Sequence, residues 1–257
     1  MRTIAVIIFF LKVTLTCGQE SAARVLTLND ALEIASDNTP PNLTDSIEPA
    51  SETIKSTWYT LLYRIHKYAI LTDFEKVLVD LERIASLRYK AGEEDLTQTY
   101  ALLDLYHTTR TEAAVAYNEI TISQNLIRQY LFAGYQIVPA DSMLAIYEID
   151  KYSAEMPDQA DSTDIYAELI QNSNIEIKQL ELDNLFIRLH YYQSFALDHA
   201  DAIMAISRAK YKAEDIGYTE FITQLSDAYR IRLDYLDLLN RYNQCAIQLE
   251  YYAYKKN

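Results

Sequence analysis

A block of this chain occurs twice. Arg88-Tyr89-Lys90-Ala91-Gly92 leads into one long amphipathic stretch, and Lys210-Tyr211-Lys212-Ala213-Glu214 leads into another. At the offset between Tyr89 and Tyr211, the pairs Lys90/Lys212, Ala91/Ala213, Thr97/Thr219, Leu103/Leu225, Arg110/Arg232 and Asn118/Asn240 are identical. A self-match over that distance, restarting a helix at the same motif, implies duplication of a whole helical unit. The 257 residues include only four Gly and five Pro, too few for the turns of an all-β fold, and half the residues are apolar. Long helices packed on one another are the expectation. The 22 tyrosines suit such packing, since each can bury its ring and keep its hydroxyl wet.

The formal charge is −14, and such a surface repels phosphate backbones, so nucleic acid is not an expected partner. Residues 1–18 read as an export signal: Arg2 supplies the positive end, Ile4 to Leu11 a short apolar core, and Thr16-Cys17-Gly18 small residues for cleavage. That core is too short to span a bilayer as a helix. Cys17 as a lipidated first residue is the alternative, although Thr14-Leu15-Thr16 makes a poor lipobox. The second cysteine is Cys245, so cleavage beyond Cys17 would leave no internal disulfide.

Along the chain, Thr27 or Asn29 can cap a helix that shows Ala31, Leu32 and Ala35 on one face. Residues 38–51 (NTPPNLTDSIEPAS) form the clearest break. A helix is predicted over about 52–90, with Leu61, Ile65, Tyr68, Val77, Leu81 and Ile84 at three- and four-residue spacings and a phase shift midway. A turn at Gly92 and a helix over about 95–132 follow. Residues 134–162 read as an irregular connector in which Met143 to Ile149 could be a strand or a helical turn. The second unit, 163–257, is helical from about Asp164 to Lys212, turns at 214–217, and ends in a helix to about Tyr254. The expected domains are thus 1–18, a first repeat 19–133, the connector, and a second repeat 163–257. The fold class is all-α, an elongated antiparallel bundle of two duplicated helical hairpins.

Several segments resemble the outer-membrane efflux protein family, the TolC-like exit ducts of tripartite pumps. LTLNDALEIASDN resembles that family's entry segment (LTLxEAlxlAlxNNP), and RYKAGEEDLTQTY its RYxaGexsLlexl helix-turn-helix. The C-terminal YKAEDIGYTEFITQLSDAYRIRLDYLDLLNRYNQCAIQLEYY is similar to the last helix of the heavy-metal and cation exporter branch, GYxEyxQxLxxAxxIrlxYLeaLNxYNqaviqLEYL. The resemblance covers about two thirds of the mature chain. It implies a homotrimer that walls a passive conduit, with two tip turns that dock a periplasmic adaptor and an RND-type inner-membrane pump that supplies the energy. Carried over, Tyr89, Ala91, Gly92 and Leu96 form one tip turn; Tyr211, Ala213, Gly217 and Tyr218 form the other. Glu214 replaces the usual tip Gly. Glu220 matches a gate-ring acid that Gln98 replaces in the first repeat, and an acidic ring would favour cations.

The family's membrane β-hairpins have no evident counterpart. Residues 38–51 stand in the first hairpin's place, and in the second repeat helix 164–184 runs into Leu185-Phe186-Ile187-Arg188 without a turn. Membrane strands would need about 9–11 alternating residues each. The location implied by the family is the outer membrane; a chain lacking both hairpins would be periplasmic. The alternative function is therefore a soluble periplasmic scaffold or interaction module, with a decaying paralogue as a third reading. His66, His107, His190 and His199 show no metal-ligand spacing, and no GxSxG, P-loop or HExxH motif occurs. No cofactor, metal site or enzymatic activity is expected. The tyrosine stripes read first as helix packing, and the tip turns, without the resemblance, as plain helix connections.

Overall fold

The computed structural model describes residues 23–38, 47–92, 96–141, 143–149 and 165–254. The export signal, Cys17 and the stretches 39–46 and 150–164 lie outside the described residues. The elements are β1 (Ala23–Leu26), α1 (Leu28–Asn38), α2 (Ile47–Lys90), α3 (Leu96–Tyr130), β2 (Gln136–Pro139), α4 (Ile165–Tyr191), a π-helical turn (Tyr192–Ala196), α5 (Leu197–Lys212) and α6 (Tyr218–Tyr254). The fold is all-α and elongated: α2 has 44 residues, or about 66 Å at 1.5 Å per residue. Among the described residues the strands are the short pair β1 and β2, and no barrel is formed.

The duplication is visible in the helix ends. Lys90 closes α2 and Lys212 closes α5, while Leu96 opens α3 and Tyr218 opens α6, all at the offset of the sequence repeat. Burial follows it too. Phe74, Leu78 and Ala85 of α2 are buried, and so are their counterparts Ala196, Ala200 and Ser207. The match stops at the π-helical turn: Leu61 and Leu62 are fully or nearly buried, whereas Asp183 and Asn184 are exposed.

The four long helices stand in an open row. α3 packs on α2, α2 on α6, and α6 on the α4–α5 helix, with no extended contact between α3 and α4–α5. Helices in the middle of such a row need apolar residues on two flanks. That is why α2 shifts phase midway: Leu71 meets Ala113 and Ala116 of α3, whereas Leu78, Leu81 and Ala85 share a core with Phe221, Leu225 and Tyr229 of α6. Phe74 stacks on Tyr229 with ring centres 4.2 Å apart.

The upper core gathers Trp58, Leu61, Leu131, Ile137, Leu185, Leu189, Leu239 and Ala246. Over it lie β1 and β2, parallel, with Val25 opposite Val138. Leu26 and Ile137 face inward and are buried; Val25 and Val138 face out. The stretch 143–149, read as a strand or a helical turn, is irregular, and the connector's strand lies earlier, at Gln136–Pro139. The reason is pairing: the backbone of 144–147 is claimed by side chains instead of by a neighbouring strand. Asn243, fully buried, accepts from the Tyr147 N–H at 2.8 Å and donates to the Ala145 carbonyl at 2.9 Å. His66 Nε2 accepts from the Leu144 N–H at 3.1 Å. The Trp58 indole donates to Asp141 at 3.1 Å.

The second repeat runs on without a turn, as the sequence reading has it. Leu185 to Arg188 sit inside an unbroken α4, whose buried Leu185 and Leu189 keep a four-residue step. At the N-terminus Thr27 caps α1: its Oγ1 accepts from the Asp30 N–H at 3.1 Å, and Asp30 Oδ2 accepts from the Thr27 N–H at 2.8 Å. This reciprocal pair is a capping box.

Asn243→Leu should cost about 3 kcal/mol in denaturant unfolding, because it leaves a buried N–H and carbonyl without partners. The backbone and side-chain hydrogen bonds from Thr27 hold the Asp30 carboxyl below its usual pKa. A lowered folded-state pKa contributes stability above the unfolded value, and that contribution is lost as pH falls through the folded one. Asp30→Asn should therefore lower Tm at neutral pH, leave it little changed in strong acid, and so flatten the acid limb of Tm against pH.

Candidate functional site

The two turns at the end of the row are built alike. In the second, α5 ends with the Glu214 N–H on the Tyr211 carbonyl (3.2 Å) and the Asp215 N–H on the Lys210 carbonyl (2.9 Å). These are the two bonds of a Schellman cap, in which the first residue past the C-cap takes the left-handed conformation. That residue is Glu214, with φ of 61°. In the first, the Gly92 N–H bonds the Tyr89 carbonyl at 3.0 Å, and Gly92 has φ of 77°. Replacing the glycine by Glu214 has thus left the path of the backbone unchanged. A side chain in this region costs about 1 kcal/mol.

The site residues named from the sequence separate into two groups. Tyr89, Ala91, Gly92, Ala213 and Gly217 are exposed, with Tyr89 at 45%. Tyr211 and Tyr218 turn inward instead. Tyr218 is buried, and its hydroxyl donates to the Leu81 carbonyl of α2 at 3.4 Å. Tyr211 is half-buried and stacks flat on Phe221, ring centres 4.6 Å apart. The guanidinium of Arg88 covers the Tyr211 ring at 5.5 Å. Arg88 closes the last turn of α2, so this cation–π contact and the Tyr218 bond tie the second turn to the first hairpin. Leu96 opens α3.

Glu220 is exposed in the first turn of α6, where the helix dipole favours an acid. Its carboxylate accepts from Gln224 Nε2 at 2.9 Å, and Gln224 in turn accepts from the Ser207 hydroxyl at 2.6 Å. What the sequence reading missed here is Arg88 and Leu87. Leu87 is 58% exposed beside the first turn, so with Tyr89 it gives the tip an apolar surface. The signal was available: both precede the repeated tyrosine directly.

Farther up, the residues that carry the C-terminal resemblance act as fasteners. Gln244 Nε2 donates to the Ser56 carbonyl at 3.0 Å and the Thr60 hydroxyl at 3.1 Å. Glu250 pairs with Lys55 at 2.6 Å and accepts from the Tyr147 hydroxyl. The Tyr63 hydroxyl donates to Asp237, and burial, helped by that carboxylate, raises the phenol's pKa. Cys245 is buried and burial raises its thiol pKa, which makes it unreactive. Among the described residues no His, Cys, Asp and Glu group is arranged to hold a metal ion. No described helix is long and apolar enough to cross a membrane.

Both edges of the row are uncovered. On α3, Val115, Ile122, Leu126 and Tyr130 form a stripe exposed between 36% and 54%; on α4, Ile177, Leu180, Ile187 and Tyr191 form another exposed between 55% and 67%. The stripes occupy the same height. Val115 to Tyr130 lie 19 to 34 residues beyond Leu96, and Tyr191 to Ile177 lie 21 to 35 residues before Lys212, so each spans about 30 to 50 Å from the tip.

No family model matches the sequence, and no curated protein matches it significantly. Among solved structures, CusC, crystallised to follow the conformational changes that accompany folding and transmembrane channel formation, is similar in fold. The TM-score is 0.59 at 10% identity, covering 88% of this chain and 72% of that one. This chain shares the fold of the part of CusC that the match covers.

Glu214→Gly should raise stability by about 1 kcal/mol by relieving the left-handed side chain, and Gly92→Ala should lower it by about as much. A Cβ at Gly92 meets nothing within 4 Å, so that loss is conformational and not a clash. Thermal unfolding of both variants measures the two.

Proposed function

We propose that this chain is an outer-membrane efflux-type component that walls a passive conduit. Copies stand edge to edge, three to a ring, and the tip turns dock a periplasmic adaptor that links the ring to an RND-type inner-membrane pump. The observation that carries the reading is the open row with apolar stripes on both free edges at one height. A helix face that exposes four large apolar residues in water asks for a cover. The two stripes are on different helices, so a contact between them is heterologous and closes as a ring when the rotation allows. The CusC-like fold supports the same reading, as do the tip residues Leu87, Tyr89, Ala91, Gly92, Ala213 and Gly217, which are exposed for a partner. Glu220 stands exposed at the second turn as a gate-ring acid, and the exporter-branch pattern of α6 favours metal cations as cargo.

The rival reading, a periplasmic scaffold that kept the tip, makes a different prediction for cell fractions. An efflux duct belongs with the outer membrane, and a scaffold with the soluble periplasm. Sedimentation should show a trimer for the full chain. Ile122→Asp with Ile187→Asp, both at exposed positions, should give a folded monomer by circular dichroism and remove adaptor capture. A wild-type chain that stays monomeric at every concentration would end the conduit reading.

A further inference from the structure

The stripes are apolar, and apolar contacts alone fix neither height nor partner. A charged group on each edge stands out beside them. On α3 it is Glu119, 37% exposed, which forms an ion pair with its own Arg64 at 3.5 Å. Arg64 also donates to the Glu119 carbonyl at 3.0 Å and to the Ser123 hydroxyl at 2.6 Å. The guanidinium is thus anchored on α3, and it approaches the Glu119 carboxylate through Oε2. On α4 the group is Arg188, exposed, which makes no hydrogen bond or ion pair among the described residues. It opens with Arg241 onto a groove of about 360 Å³ whose walls include Ile177 and Leu180. An arginine without a hydrogen bond or ion pair among the described residues is notable in a chain of charge −14.

The two groups agree in height and in direction. Glu119 is 23 residues beyond Leu96, and Arg188 is 24 residues before Lys212, so both stand about 35 Å from the tip. On a 3.6-residue helix Glu119 lies about 75° from the α3 stripe that faces α2 (Ala113, Ala116, Ser123, Ile127), and Arg188 about 80° from the α4 stripe that faces α6 (Leu185, Leu189). The two helices run antiparallel at opposite ends of the row, and these rotations carry both groups to the same side of it.

We propose that Glu119 of one copy binds Arg188 of the next, a carboxylate shared between its own Arg64 and the neighbour's guanidinium that sets the height at which copies meet. This rests on the edge-to-edge assembly proposed above and adds to it the pair that makes the contact specific for another copy of this chain. A carboxylate already fixed by one arginine loses little freedom in accepting a second, which favours such networks over isolated surface pairs.

Two experiments test it with the full chain. Arg188→Glu should weaken self-association about tenfold by sedimentation equilibrium, and adding Glu119→Lys should recover most of the loss. Independently, Glu119→Cys with Arg188→Cys should give a disulfide ladder between copies under mild oxidation. Glu119→Cys with Ile177→Cys, 11 residues higher on α4, should give none. If the wild type assembles but Arg188→Glu associates normally and the 119–188 ladder is absent, the charge pair is wrong and the assembly stands. If the wild type does not assemble, both proposals fall together.

Discussion

The structure depends on a demand placed on two helices. A helix at the centre of a row must be apolar on two flanks, and α2 and α6 both meet that demand. α2 does it in sections, turning Leu71 toward α3 and Leu78 and Leu81 toward α6. Because the central pair carries both interfaces, α3 and α4–α5 need only one covered flank. Their second apolar flank is then surplus to the fold of a single copy. Burying it would gain on the order of 25 cal/mol for each Å² of apolar surface covered, which is what makes assembly the natural use of those edges.

Much of the architecture was legible from periodicity. The helix ends at Lys90, Lys212 and Tyr254 coincide with the sequence reading because Gly92, the turn at 214–217 and the chain's last apolar positions give local signals. The parallel pair β1–β2 was not legible. Its strands are four residues each and lie 110 residues apart, so no alternation long enough to register is present. The open row was also hidden: a sequence shows that a helix has two apolar flanks but not whether the second meets its own chain or another.

The tip shows where residue identity and role part company. Tyr89 and Tyr211 are the same residue in the same motif, yet Tyr89 is exposed, whereas Tyr211 is stacked on Phe221 beneath Arg88. The difference comes from position in the row. α2 is central and ends beside the second turn, so that turn gains a neighbour that the first lacks. A pattern carried from one repeat to the other predicts the backbone well, as Gly92 and Glu214 show, and the side-chain environment poorly.

Asn243 holds the connector by its backbone alone, through the Tyr147 N–H and the Ala145 carbonyl. A grip of that kind does not read side chains. That grip would survive substitution of the side chains at 145 and 147, and the cap at Glu214 is likewise made by main-chain groups. Chains built on such grips can diverge until residue-by-residue comparison fails and only the shape remains to be recognised.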